Sequence, residues 1–275
     1  MGVLLALGAA LAYGLSDFVG GLASRRTSAW PVAFVGSTAS MLGAVVLALI
    51  LPGDPATRDL AWGAAAGVGS GLGGAFLYRG FAAGRMGVVA PVSAVGAALL
   101  PVAVGVLGGE RPSLLVWLGM AAAVPGIWWV SREPDEVTGL ADGLVDGLLA
   151  GAGFGLLFAA TGQIPESAGL WPLALSQCVG LVTVAVAAAA LGEQWLPSTP
   201  GHAWGAVAGL LATAAVLSFL LATQTGMLTV AAVLTSLYPA VTIVLAATVL
   251  GEPIHRWQTV GLLCCAVAVG LVAAG

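Results

Sequence analysis

The chain repeats itself, and the repeated unit is almost entirely apolar. Residues 62–131, moved forward by 142 positions, bring identical residues into line without a gap. Trp62, Gly63 and Gly67 meet Trp204, Gly205 and Gly209. Gly84, Val88 and Ala90 meet Gly226, Val230 and Ala232; Gly109-Glu110 meets Gly251-Glu252, and Gly119 meets Gly261. Nearer the start the offset is 141: Tyr13-Gly14-Leu15 aligns with Phe154-Gly155-Leu156, and Trp30-Pro31 with Trp171-Pro172. A duplicated apolar unit is a common way to build a membrane protein around a central site.

Only 7% of the 275 residues are charged and 60% are hydrophobic, whereas about 25% charged residues is usual for a soluble domain. Mean hydropathy is +1.06. Such a chain cannot cover a water-facing surface. A β-barrel needs short alternating segments, and none is present. A spanning helix needs about 20 apolar residues. The polar breaks then mark ten spans: 3–22, 31–51, 60–82, 87–107, 114–131, 143–163, 171–191, 204–224, 228–249 and 258–274. The expected fold is an all-α polytopic protein of the cell membrane. The first run has no basic segment before it and matches 143–163, so it reads as a structural helix and not a removed signal.

Five spans per copy fix the topology. An odd number delivers the second copy to the opposite face, so the repeats should be inverted about an axis in the membrane plane. The first five-helix repeat is 1–131, the joining polar loop 132–142, and the second repeat 143–275. Two fused halves are compatible with a monomer or a dimer. All eight basic residues are Arg. Arg25, Arg26, Arg85, Arg132 and Arg256 fall on the face opposite the N-terminus, which by the positive-inside rule would be cytoplasmic.

Several functions are argued against. No basic patch suggests nucleic acid. Cys178, Cys264 and Cys265 lie within apolar runs without ligand spacing, and His202 and His255 have no metal-binding partners in sequence. The glycine run 67–74 follows no strand, so it is not a dinucleotide loop. We therefore expect no metal and no cofactor.

The segment Val88-Val89-Ala90-Pro91 through Leu107-Gly108-Gly109-Glu110-Arg111-Pro112 and Leu118-Gly119 resembles the EamA-type repeat of the drug/metabolite transporter superfamily. The second copy carries Tyr238-Pro239, Leu250-Gly251-Glu252-Pro253 and Val260-Gly261, and Ala12-Tyr13-Gly14-Leu15-Ser16-Asp17-Phe18 is similar to the first helix of such proteins. The resemblance implies ten helices, a cavity lined by spans 1–4 and 6–9, peripheral spans 5 and 10, and cytoplasmic termini, the opposite orientation to the one the arginines give. It also implies secondary transport of small metabolites, often export of amino acids or related compounds. The chain departs from the pattern at two points. Pro239 has Ala97 as its equivalent, so spans 4 and 9 should bend differently. Gln177 stands where many relatives carry a basic residue.

Within the spans, Asp17 is the sharpest candidate. A carboxylate in hydrocarbon must be paired, protonated or turned to a wet cavity. It reads as a proton-coupling group, an anchor for a substrate amine, or the partner of Arg79 at similar depth. Tyr13, Ser16, Gln177, Ser218, Gln224, Thr235, Tyr238 and Pro239 are candidate cavity-lining residues for a small-molecule substrate, with Arg79 beside them. Interhelical hydrogen bonding is their plainer use. Glu110 and Glu252 should cap the helices that they begin. Trp62, Trp117, Trp195, Trp204 and Trp257 read as interfacial anchors. A transporter is the reading these features favour. A membrane scaffold or sensor would want a soluble domain, and a membrane enzyme a cluster of reactive side chains; the sequence has neither.

Overall fold

The computed structural model describes residues 1–51, 53–83, 86–130, 140–251 and 254–275. Glu252, with its expected capping role, lies outside them. Among the described residues the regular structure is helical: α1 Gly2–Arg26, α2 Ala29–Ile50, α3 Thr57–Ala82, α4 Met86–Leu107, α5 Leu114–Val130, α6 Leu140–Thr161, α7 Trp171–Ala190, α8 Trp204–Gln224, α9 Leu228–Thr235, α10 Tyr238–Val249 and α11 Arg256–Ala274. Eight of these stretches are long and apolar enough to cross a membrane, with α9 and α10 counting as the single stretch Leu228–Val249. Val92–Leu107 and Leu114–Val130 are apolar but shorter. The protein is a multi-pass membrane protein, and leucines and valines such as Leu4, Leu42, Leu49 and Leu263 face outward.

Local chemistry sets the helix ends. Asp59 accepts the Ala56 N–H at 2.9 Å at the start of α3, and Gln258 accepts the His255 N–H at 2.9 Å at the start of α11. Helix α4 stops at Gly109, whose φ of 101° is open to glycine without steric cost. The chain then folds back so that the Glu110 N–H reaches the Gly105 carbonyl at 3.0 Å. Gly251, the equivalent position, also has positive φ, 69°. The duplicated Gly-Glu pair thus contains a helix stop of the left-handed type.

The ninth span breaks where the sequence places Pro239. Proline offers no N–H to the Thr235 carbonyl and crowds it. Ala240 donates instead to Leu237 at 3.0 Å, and Leu237 to Leu234 at 3.3 Å. Helix α4, with Ala97 at the equivalent place, runs on unbroken.

Small residues determine which helices meet. Gly63, Gly67 and Gly71 form a stripe on α3 against the α7 backbone at Pro172, Ser176 and Gly180, while Gly69 and Gly73 face α6. The second copy repeats this: Gly205 and Gly209 of α8 lie against the α2 backbone at Val32 and Gly36. Close backbone approach is what glycine permits in lipid, where packing rather than water exclusion drives association. The most extensive contacts are α1 with α8, α9 and α10; α3 with α6 and α7; α2 with α7 and α8; α4 with α6 and α9; and α5 with α11. Exchanging each span with its repeat equivalent returns these pairs, whereas the lesser contacts of α1 with α2 and α3 and of α2 with α3 have no counterpart of similar extent among α6, α7 and α8 in the described residues. An aromatic core joins α1, α6 and α8, with Tyr13 and Phe158 ring centroids 5.6 Å apart and Phe158 and Phe219 4.6 Å apart.

Candidate functional site

A cavity opens between α1, α2, α3, α6, α7 and α8, with about 70 Å³ of space for the centre of a water-sized sphere. On α1, Tyr13, Ser16 and Asp17 share one helix face, three and four residues apart, and all three line it. Helix α2 contributes Ser37 and Ser40, α3 contributes Ser70, Gly74 and Tyr78, and α7 contributes Gln177. Phe154 and Leu157 of α6 and Ala212 and Val216 of α8 close it with apolar surface. Helices α4, α9 and α10 provide none of its described lining, which narrows the ring of helices that the family resemblance implied.

The hydroxyls divide into two groups. Ser16 donates to the Ala208 carbonyl at 2.8 Å and Ser40 to the Gly209 carbonyl at 2.5 Å, tying α1 and α2 to α8. The Tyr13 hydroxyl and the Gln177 Nε2 are buried and have no hydrogen-bond partner among the described residues. Buried polar groups of this kind are uncommon. Asp17 is 7% exposed and has neither an ion-pair nor a hydrogen-bond partner among the described residues. All three tyrosines of the chain, Tyr13, Tyr78 and Tyr238, stand within electrostatic range of its carboxylate.

Arg79 does not pair with Asp17. Its guanidinium reaches Asp146 of α6, with Nε donating to Oδ1 at 2.8 Å, and lies 4.5 Å from the Phe76 ring centroid. Equal depth on α1 and α3 was a necessary condition for an Asp17–Arg79 pair, but α3 packs closely on α6, and the α6 carboxylate takes the guanidinium. Arg79 is therefore no part of this cavity's lining.

The other candidates lie outside the lining as well. Thr235 donates to the Ala6 carbonyl at 3.3 Å, a bond between helices. Gln224 donates to the Ile164 carbonyl at 3.4 Å. Ser218 is partly buried on α8. Tyr238 and Pro239 are buried one layer behind α1: the Tyr238 ring is 6.2 Å from that of Tyr13, and its hydroxyl is 3.4 Å from Ser93 Oγ on α4. Sequence reasoning missed Ser37, Ser40, Ser70 and Tyr78. The signal was present, since Ser70, Gly74 and Tyr78 recur every four residues on one face of α3. Glu110 caps a helix, though not α5. Its carboxylate accepts the Leu228 N–H at 2.5 Å and the Thr229 N–H at 3.0 Å, sealing the start of α9 in the other half.

Comparison with known proteins fits this geometry. No curated protein matches the chain. A solved structure, described only as the crystal structure of a protein, is similar over 99% of this chain and 95% of its own length. The TM-score is 0.72 and the identity 16%, so the likeness is one of fold. Residues 142–274 match the model of the EamA-like transporter family. That match covers the second copy of the repeat, so residues 142–274 form an EamA-like transporter unit.

Proposed function

We propose that the protein is a secondary transporter that moves small metabolites across the cell membrane by alternating access to the cavity at Asp17. The observation that carries this is a carboxylate, beside a tyrosine hydroxyl and a glutamine amide, none with a partner among the described residues, in a cavity enclosed by membrane helices. A static membrane scaffold has no use for a buried carboxylate without a partner, whereas a transport site does.

In this reading ten spans form two inverted five-helix repeats, 1–131 and 143–275, joined by 132–142. The most extensive helix pairings, which are unchanged when the repeats are exchanged, support that arrangement. Glycine-lined contacts at α3–α7 and α2–α8 are the surfaces across which the halves would rock. Asp17, which can hold either a proton or a cationic group, is the coupling residue, and export of amino acids or related compounds is the direction the family suggests.

The test is solute counterflow. Purified protein in liposomes is preloaded with candidate metabolites, amino acids first, and uptake of the labelled solute is followed with and without an imposed proton gradient. Exchange of at least one solute, with acceleration by the gradient that is lost in Asp17→Asn, is expected. Absence of exchange for every class of solute, charged and neutral, would overturn the reading.

A further inference from the structure

The cavity's chemistry narrows the substrate, given that the chain transports through it. Among the described lining residues Asp17 is the one acidic side chain, and none is basic. A zwitterion or an anion placed here leaves net negative charge among apolar walls. A single positive charge cancels that of Asp17. The surrounding rings favour the same choice: Tyr13, Tyr78 and Phe154 line the space with the carboxylate, and aromatic faces attract cations, ammonium groups above all. The Tyr78 hydroxyl packs against Gly20, in the space that an added Cβ there would take. At the α7 wall, the Gln177 Nε2 is an N–H donor without an acceptor among the described residues. A ligand oxygen that bears no full charge would satisfy it without unbalancing the site. The space also sets a size. About 70 Å³ is open to the centre of a water-sized sphere, room for a compact ligand rather than a bulky one.

We propose that the cavity takes a compact organic monocation, with its ammonium nitrogen at Asp17 among the rings of Tyr13, Tyr78 and Phe154 and a neutral acceptor oxygen at Gln177. Three isosteres separate charge from shape: choline, its uncharged carbon analogue 3,3-dimethylbutan-1-ol, and the zwitterion glycine betaine. Tetramethylammonium serves as a cation without an acceptor oxygen. Binding to the purified wild-type protein is measured by calorimetry. Choline should bind at least about tenfold more tightly than either isostere, a difference of about 1.4 kcal/mol. Gln177→Ala should weaken choline more than tetramethylammonium. Asp17→Asn, where it stays folded, should weaken both cations by at least about tenfold.

Equal or tighter binding of glycine betaine or the alcohol overturns the proposal, and that comparison requires no variant. So does undiminished choline binding by folded Asp17→Asn. If neither cation binds while amino acids exchange in liposomes, the monocation assignment fails and the transport reading stands. If no solute exchanges at all, the transport reading fails, and cation binding alone then marks a receptor site.

Discussion

Replacing Glu110 by alanine should loosen α9 from the other half of the protein by about 2–3 kcal/mol. The carboxylate holds two backbone donors, Leu228 N–H at 2.5 Å and Thr229 N–H at 3.0 Å. Those residues are 5% and 0% exposed, so the freed donors gain little water. A hydrogen bond to a charged group contributes about 1.5–3 kcal/mol, and losing a helix cap costs about 0.5–2 kcal/mol. Glu110 is itself only partly buried, which places the sum toward the lower end. Glu110→Gln keeps one acceptor and loses the charge, for about 1 kcal/mol.

Gly105 supplies an independent check. A Cβ there would sit 2.5 Å from Glu110 Oε2 and 2.9 Å from Thr229 Cγ2, so Gly105→Ala should cost about 1–2 kcal/mol by displacing the same carboxylate. The double variant should then be more stable than the summed single effects by about 1 kcal/mol. Stability is followed by denaturant unfolding in detergent, and hydrogen exchange at Leu228 and Thr229 locates the loss. Additive costs, or a Glu110→Ala protein whose α9 exchanges at the wild-type rate, would refute the cap.

Two further predictions concern packing and charge. An added side chain at Gly209 would collide with the α2 backbone at Gly36, and Gly8 meets nothing within 4 Å; Gly209→Val should therefore cost about 3 kcal/mol or more, while Gly8→Ala should be neutral or stabilising by up to about 1 kcal/mol, both by unfolding. Asp146→Asn should destabilise by about 2–4 kcal/mol because Arg79 loses its carboxylate. Adding Arg79→Gln should recover part of that loss. A fully additive double variant would deny the pair.

The fold was legible because its determinants are linear. Apolar runs, the 142-residue offset and Pro239 can be read along the chain, and each acts where it lies: the ninth span breaks at the proline, and α4 with Ala97 does not. Gly109 likewise ends its own helix. Partnerships were less legible. Depth alone matched Asp17 with Arg79, but which helix faces α3 depends on the glycine stripe Gly69 and Gly73, which brings α6 and Asp146 alongside. Glu110 was read as a cap and is one, for a helix more than a hundred residues away. The α1 face of Tyr13, Ser16 and Asp17 was visible because its polar residues stand against apolar neighbours. Ser70 and Tyr78 were obscured by glycines, whose helical periodicity serves packing and lining at once. Thr235, Gln224 and Tyr238 show the converse: polar side chains in membrane helices whose bonds hold helices together.

The central claim, that solute passes through the space beside Asp17, is tested most directly by filling that space. Ala212 of α8 lines it, and Ala212→Phe would put a ring into that space. Counterflow is measured in liposomes with the labelled solute that the wild-type protein exchanges fastest. The account predicts that Ala212→Phe keeps the melting temperature of the folded protein and reduces counterflow to the level of empty liposomes. Wild-type counterflow by a folded Ala212→Phe protein would contradict it.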